Sequence, residues 1–193
     1  MHDGVVSDAI DHSITQPGEN RFWLTTSDGV GIDAVLLRGS LPRTTVVVLA
    51  NGFTGTYRSP HTRAIAQGLL SVGDVMTFDF RGHHGSGGRS TVGNAEIHDL
   101  EAVVGRLREL GYTHIATLGF SMGAAVAIRH AAIFGGISAV VSVSGPSRWY
   151  YRGSRSMRLL TFGVGRSFGR AFLRRFRKVR VTDQRWNPTP AEP

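Results

Sequence analysis

The sequence predicts an α/β protein whose sheet is mostly parallel after an N-terminal hairpin. Three observations lead there. Short β-branched runs alternate with stretches of helical period, the pattern of a parallel sheet covered by helices on both faces. The runs at 44–50 (TTVVVLA) and 75–80 (VMTFDF) are apolar without alternation, as in strands buried on both sides. A chain of 193 residues with 41% hydrophobic residues suits one filled core.

Each element has its own reason. Asp28-Gly29 between the β-rich stretches 21–26 and 30–37 signals a hairpin. Ser59 as N-cap and Pro60 at the first helical position open a helix with Ala64, Ile65, Leu69 and Leu70 as its apolar face. The segment Ala95–Leu110 is the most regular helix. Ile97, Leu100, Val103, Val104, Leu107 and Leu110 keep a spacing of three or four. Its acids Glu96 and Asp99 come early and Arg106 and Arg108 late, in line with the helix dipole, and Gly111 closes it. A strand at 115–120, a helix at 122–132 and a strand at 137–144 follow.

Composition excludes several classes. There is no cysteine, so disulfide frameworks and thiolate metal sites are out, and the absence fits a cytoplasmic protein. No apolar run reaches the roughly 18 residues of a spanning helix. The start Met1-His2-Asp3-Gly4 lacks the basic and apolar regions of a signal peptide. The net charge of +8 is confined to one end. Residues 1–147 hold 10 Arg and 12 acids, whereas 148–193 hold 11 Arg, one Lys and two acids. The excess of basic groups is therefore a property of the last quarter, and no nucleic acid is expected as a partner of the whole chain.

The motif that carries chemistry is Gly119-Phe120-Ser121-Met122-Gly123. It lies between a buried strand and a helix, the context a nucleophile elbow requires. Glycine on each side removes the Cβ atoms that would clash in so tight a turn. The serine hydroxyl is then lifted above the sheet edge, toward the N–H groups that open the helix. No G-K-[ST] follows the Gly-rich loop 82–88, so it is not a phosphate-binding loop, and no cofactor is expected. No His pair has metal-ligand spacing, so no metal is expected either.

Together with two further stretches, the elbow resembles the α/β-hydrolase superfamily. Asn51-Gly52-Phe53-Thr54-Gly55 is similar to the family's oxyanion loop, with Asn51 where a His is usual. Asp79-Phe80-Arg81-Gly82-His83-His84-Gly85-Ser86 is similar to its Asp-x-Arg-Gly-His-Gly-x-Ser stretch, with one extra His. The element order agrees, and the likeness covers roughly residues 20–147. It is nearest to the lysophospholipase/monoacylglycerol-lipase and serine-aminopeptidase-like branch. The resemblance implies a three-layer α/β-hydrolase sandwich and a serine hydrolase acting on an ester or thioester of a small to medium acyl group. It implies Ser121 as nucleophile, with the backbone N–H groups of Phe53 and Met122 as the oxyanion hole.

The triad is incomplete by the same comparison. In this superfamily the acid and the His follow the serine. Here no His lies beyond His130, and the acids after Ser121 are Asp183 and Glu192. His83 and His84 sit in a loop whose His is mainly structural in the family. His130 stands about 13 Å along the elbow helix by rise alone. His98 and His114 read as helix-surface and strand-start residues. The expectation is a chain truncated at its C-terminus, with the last strands missing. The alternative is a truncated or degenerate, non-catalytic α/β-hydrolase that binds an acyl ligand or an anionic membrane.

The domain reading is a flexible lead-in at 1–19, a hydrolase core at 20–147, an Arg-rich cap segment at 148–182 and a Pro-rich tail at 183–193. The cap segment carries Trp149, Tyr150, Tyr151 and Phe162, and a stripe of Leu160, Val164, Phe168, Phe172 and Phe176 beside one of Arg166, Arg170 and Arg174. Three readings stand for it: a cap over the serine, an amphipathic helix lying on anionic lipid, and a nucleic-acid arm. Gly163, Gly165 and Gly169 favour a jointed cap. The strand at 137–144, left as an open edge, is expected to self-associate or to be covered.

Overall fold

A computed structural model describes residues 18–39, 43–146 and 155–183. The lead-in before residue 18, the aromatics Trp149, Tyr150 and Tyr151, the end from 184 and the Leu160 side chain lie outside the described residues.

Among the described residues the sheet has six strands. They are β1 (Glu19–Thr25), β2 (Gly31–Leu37), β3 (Thr45–Ala50), β4 (Asp74–Phe78), β5 (His114–Phe120) and β6 (Ala139–Val143). Their spatial order is β1-β2-β4-β3-β5-β6. β1 and β2 form the antiparallel hairpin, and β2 also runs antiparallel to β4. The pairs β4/β3, β3/β5 and β5/β6 are parallel. The helices between them are α1 (Pro60–Leu69), α2 (Glu96–Glu109) and α3 (Met122–Ile133). α4 (Arg155–Gly165) and α5 (Ser167–Phe176) follow β6. This is the α/β-hydrolase architecture, a mostly parallel sheet between two layers of helix.

Two apolar clusters make the layers. On one face, Ile97, Leu100, Val103, Val104 and Leu107 of α2 and Met122, Val126 and Ala127 of α3 pack on Ile32, Val46, Val48 and Met76. On the other, Ala66 of α1 joins Val35, Leu37, Leu49 and Val75. Ser59 caps α1 by accepting a hydrogen bond from the Thr62 N–H, with Pro60 in the first turn. Ile65, Leu69 and Leu70 pack on the second cluster as expected, but Ala64 is exposed, while Thr62 and Ala66 are buried. The reason is polar, since Thr62 Oγ1 donates to Asn51 Oδ1 at 3.0 Å.

β4 ends at Phe78, two residues earlier than the apolar run suggests. Phe80 keeps the run going because it is a core residue in a loop, edge-to-face with Phe78 at 4.7 Å. The early acids of α2 do more than complement a dipole. Both are buried. Glu96 accepts from the N–H groups of Thr91 and Gly93 and from Ser90 Oγ and Thr91 Oγ1. Asp99 accepts from the Arg81 N–H and Nε, each at 2.8 Å.

The stripe after residue 160 runs over two helices, a joint of the kind that the glycines there favour. The backbone is extended at Arg166 (φ −117°, ψ 143°), which separates α4 from α5. The two helices meet through glycines: a Cβ on Gly169 would lie 2.7 Å from the Gly163 Cα. Phe162 meets Phe168 edge-to-face at 5.6 Å, yet Phe168, Phe172 and Phe176 stay 62%, 55% and 65% exposed. Beyond α5 the chain returns to the core. Val179 and Val181 are buried and bridge to His83 and Ser90. The Arg180 N–H donates to the Gly82 carbonyl and the Ser90 N–H to the Arg180 carbonyl, each at 2.7 Å.

Candidate active site

The topology selects the place. β3 leads through α1 to β4 on one side, while β5 lies on the other side of β3, so the connections diverge between β3 and β5. In open α/β sheets a crevice forms at the carboxyl ends of such a strand pair. The loop after β3 is Asn51–Gly55, and the residue after β5 is Ser121.

Ser121 has φ 50° and ψ −116°, a left-handed conformation that a non-glycine residue adopts only under constraint. Its N–H donates to the Val143 carbonyl at 2.9 Å, and its carbonyl accepts from the Ala124 N–H at 3.0 Å. The glycines leave the room this needs. A Cβ on Gly123 would stand 2.5 Å from the Asn51 carbonyl oxygen, and one on Gly119 would stand 2.6 Å from the Ala124 Cα. Gly52 faces the serine directly, since a Cβ there would lie 3.3 Å from the Ser121 Cβ. The serine is exposed. Among the described residues nothing hydrogen-bonds its Oγ.

Phe53 and Met122 flank this point from the two strands. The register pairs Ala50 with Gly119, so the segments carrying Phe53 and Met122 leave the sheet side by side. Among the described residues neither backbone N–H has an acceptor, and Met122 is the first residue of α3. Two free donors at a loop and a helix N-terminus suit an oxygen that gains negative charge.

The loop is fixed from beneath by His83. Its Nε2 accepts from the Thr54 N–H at 3.1 Å, and its Nδ1 donates to the Arg81 carbonyl at 3.0 Å. The ring is buried and stands edge-on to Phe53 at 5.5 Å. Burial holds its pKa below the usual 6.5 despite the Arg81 hydrogen bond and the charges of Glu96 and Asp79. With both nitrogens engaged, His83 is a brace and not a free base. His130 is buried, with Nε2 bonded to Glu101 at 2.6 Å, its ring stacked on Phe134 and its Nδ1 without a partner among the described residues.

A buried ionic cluster that the sequence pattern does not reveal sets the far end of the loop. Arg58 bonds Asp79 at 2.5 Å and also bonds Asp33. Arg21 Nε reaches Asp33 at 2.9 Å, and Tyr57 Oη donates to Asp33 at 3.0 Å. Burial pushes the Asp33 carboxyl up, but the hydrogen bonds and charges of Arg21 and Arg58 win and hold it below the carboxylate range. Arg81 pairs with Asp28 at 2.6 Å as well as with Asp99. Asp79, Arg81 and His83 of the Asp-x-Arg-Gly-His stretch thus all position loops.

A cleft of about 610 Å³ opens beside the serine. Gly52, Phe53, Phe120, His61, Ile65 and His84 line it together with Phe176, Arg177 and Lys178 from the end of α5. Sequence reasoning puts Phe176 on the apolar face of a cap over the serine but misses the contribution of Arg177 and Lys178. Their only local signal is the charge run, which does not say where the run folds back. Among the described residues no cluster of His, Asp and Glu could hold a metal.

Residues 47–193 match the alpha/beta hydrolase family. The chain belongs to this family. This alpha/beta hydrolase is also similar to solved structures. It is 31% identical to the esterase Pf2001 of Pyrococcus furiosus, with a TM-score of 0.67 over 82% of this chain and 62% of that one. XC6422 of Xanthomonas campestris, described as an α/β serine hydrolase without a lid, is 23% identical with a TM-score of 0.62. That match covers 72% of this chain and 67% of the other and speaks for the fold alone. Est1E of Butyrivibrio proteoclasticus, solved with ferulic acid bound, is 25% identical with a TM-score of 0.56, over 63% of this chain and 52% of that one. The chain spans 60–62% of the length of the Pyrococcus esterase chains it matches. No curated protein sequence matches it. Among the described residues no helix is long and apolar enough to cross a membrane.

Proposed function

We propose that this chain carries the nucleophile and oxyanion hole of a serine hydrolase. Its substrates are carboxylic esters or thioesters of small to medium acyl groups, the chemistry of the lysophospholipase/monoacylglycerol-lipase-like branch that the motifs resemble. The observation that carries the reading is the strained, exposed Ser121 at the β5–α3 turn, facing Gly52. Ser121 Oγ attacks the acyl carbon. The Phe53 and Met122 N–H groups receive the oxyanion, in a step where each such donor is worth about 10²–10³ in rate. The hydroxyl proton needs a base: His83 and His130 are committed elsewhere, and His61 and His84 line the cleft, but among the described residues no His hydrogen-bonds Ser121 Oγ.

The same fact favours a second reading, a protein that binds an acyl ligand without turning it over. One experiment separates them. A fluorophosphonate probe is incubated with the chain at increasing imidazole concentration, and the adduct is located by mass spectrometry. The enzyme reading expects labelling at Ser121 that rises with imidazole and is absent in Ser121→Ala. Labelling that survives Ser121→Ala overturns it. A wild-type serine that stays unlabelled at every imidazole concentration favours the binding role.

A further inference from the structure

We propose that the cleft beside Ser121 binds an amphiphile with an anionic end. An apolar chain would lie along Phe53, Phe120 and Phe176, with a carboxylate or phosphate held between Arg177 and Lys178. The proposal rests on the serine-hydrolase reading for the bond that is cut, but not for the binding.

The cleft has charge of one sign. Among the described residues no Asp or Glu lines it, while Arg177, Lys178, His61 and His84 do. In the sheet and its loops Arg21, Arg58, Arg63 and Arg81 each bond a carboxylate, whereas Arg129, Arg170 and Arg180 bond backbone carbonyls. Arg177 and Lys178 have no carboxylate partner among the described residues. Arg177 spends one donor on Thr54 Oγ1, at 2.9 Å, and both residues line the cleft. An Arg fork and a neighbouring ammonium suit the oxygens of a carboxylate or phosphate.

The rim is built and not merely a flexible charge run. Thr54, His84 and Lys178 all line the cleft, and all three are non-glycine residues with positive φ, at 67°, 36° and 53°. Hydrogen bonds hold them there: the His84 N–H donates to the Lys178 carbonyl at 2.9 Å, and the Thr54 N–H to His83. Strained backbone of this kind clusters at ligand clamps. His84 reports the local field. Burial lowers its pKa, and the charges of Arg58 and Lys178 lower it further against the pull of Asp79. That Asp79 carboxylate is already paired with Arg58. The volume of about 610 Å³ suits a small amphiphile.

The test compares monohexyl succinate, hexyl phosphate and the neutral hexyl methyl succinate by calorimetry on the full chain. Both anions should bind roughly tenfold more tightly than the neutral diester. Arg177→Gln/Lys178→Gln should erase the preference, and the charge-preserving pair Arg177→Lys/Lys178→Arg should keep it. Equal binding of the three ligands, or a preference that survives the Gln pair, overturns the proposal. Phosphatidylglycerol vesicles separate the two sources of the anion. Vesicle binding without binding of monohexyl succinate would place the anion site on a lipid surface and not in the cleft, and so also overturns it. Calorimetry needs no turnover and Ser121 labelling is read by mass, so the cleft proposal and the hydrolase reading can fail separately.

Discussion

His83 shows how a single side chain can fix the loop that faces Ser121. Accepting from Thr54 and donating to Arg81 requires a neutral ring with its proton on Nδ1. Burial lowers the folded pKa, whereas the unfolded ring protonates near 6.5. The contribution of His83 to stability is therefore complete above about pH 6.5 and is lost as the pH falls through the folded-state value. His83→Leu should cost about 1–3 kcal/mol at pH 7, because it leaves the Thr54 N–H unpaired. It should also flatten the fall in urea midpoint between pH 6.5 and pH 5, though not abolish it, since burial also lowers the pKa of His84 and His130. A pH dependence identical to the wild type would contradict this role. Ser121 is legible in the sequence because its signal is local: two glycines, a strand ahead of it and a helix after it. Arg58 is not. Its partners Asp79 and Asp33 lie 21 and 25 residues away, and no short pattern records such a cluster.

Elements written in local chemistry can be read from the sequence, and elements defined by tertiary contact cannot. The Ser59–Pro60 start of α1 and the apolar period of α2 need no partner to be recognised. The end of β4 does, because Phe80 fills the core from a loop and mimics one more strand position. The joint between α4 and α5 is legible in kind, because Gly163, Gly165 and Gly169 argue against one continuous helix, but its place at Arg166 is not, since a period of four runs unbroken through Val164, Phe168 and Phe172. β6 is the terminal strand of the sheet, with Val141 half exposed. An edge with open backbone groups and apolar side chains is a template for pairing. Light scattering should therefore show concentration-dependent association, and Val141→Lys should reduce it. A monodisperse wild-type monomer up to about 10 mg/ml, the same as the variant, would contradict an available edge.

Across the whole molecule, the site is assembled from segments far apart in sequence that converge on one end of the sheet. β3 and β5 deliver the loop Asn51–Gly55 and the serine, and the loop at 81–90 braces the former through His83. The return segment at 178–182 clips that loop from outside with buried Val179 and Val181. The first two contributions follow from strand order and motif. The clip does not, because two valines in a run of arginines carry no signal of where they pack. The central claim is that Ser121, Phe53 and Met122 form one acyl-transfer site. A crystal structure of the chain after reaction with diethyl p-nitrophenyl phosphate in the presence of imidazole, which supplies the base, tests it most directly. The account predicts phosphorus bonded to Ser121 Oγ and the phosphoryl oxygen about 2.7–3.1 Å from both the Phe53 and Met122 nitrogens. An adduct on another residue, or a phosphoryl oxygen turned away from those two nitrogens, would contradict it.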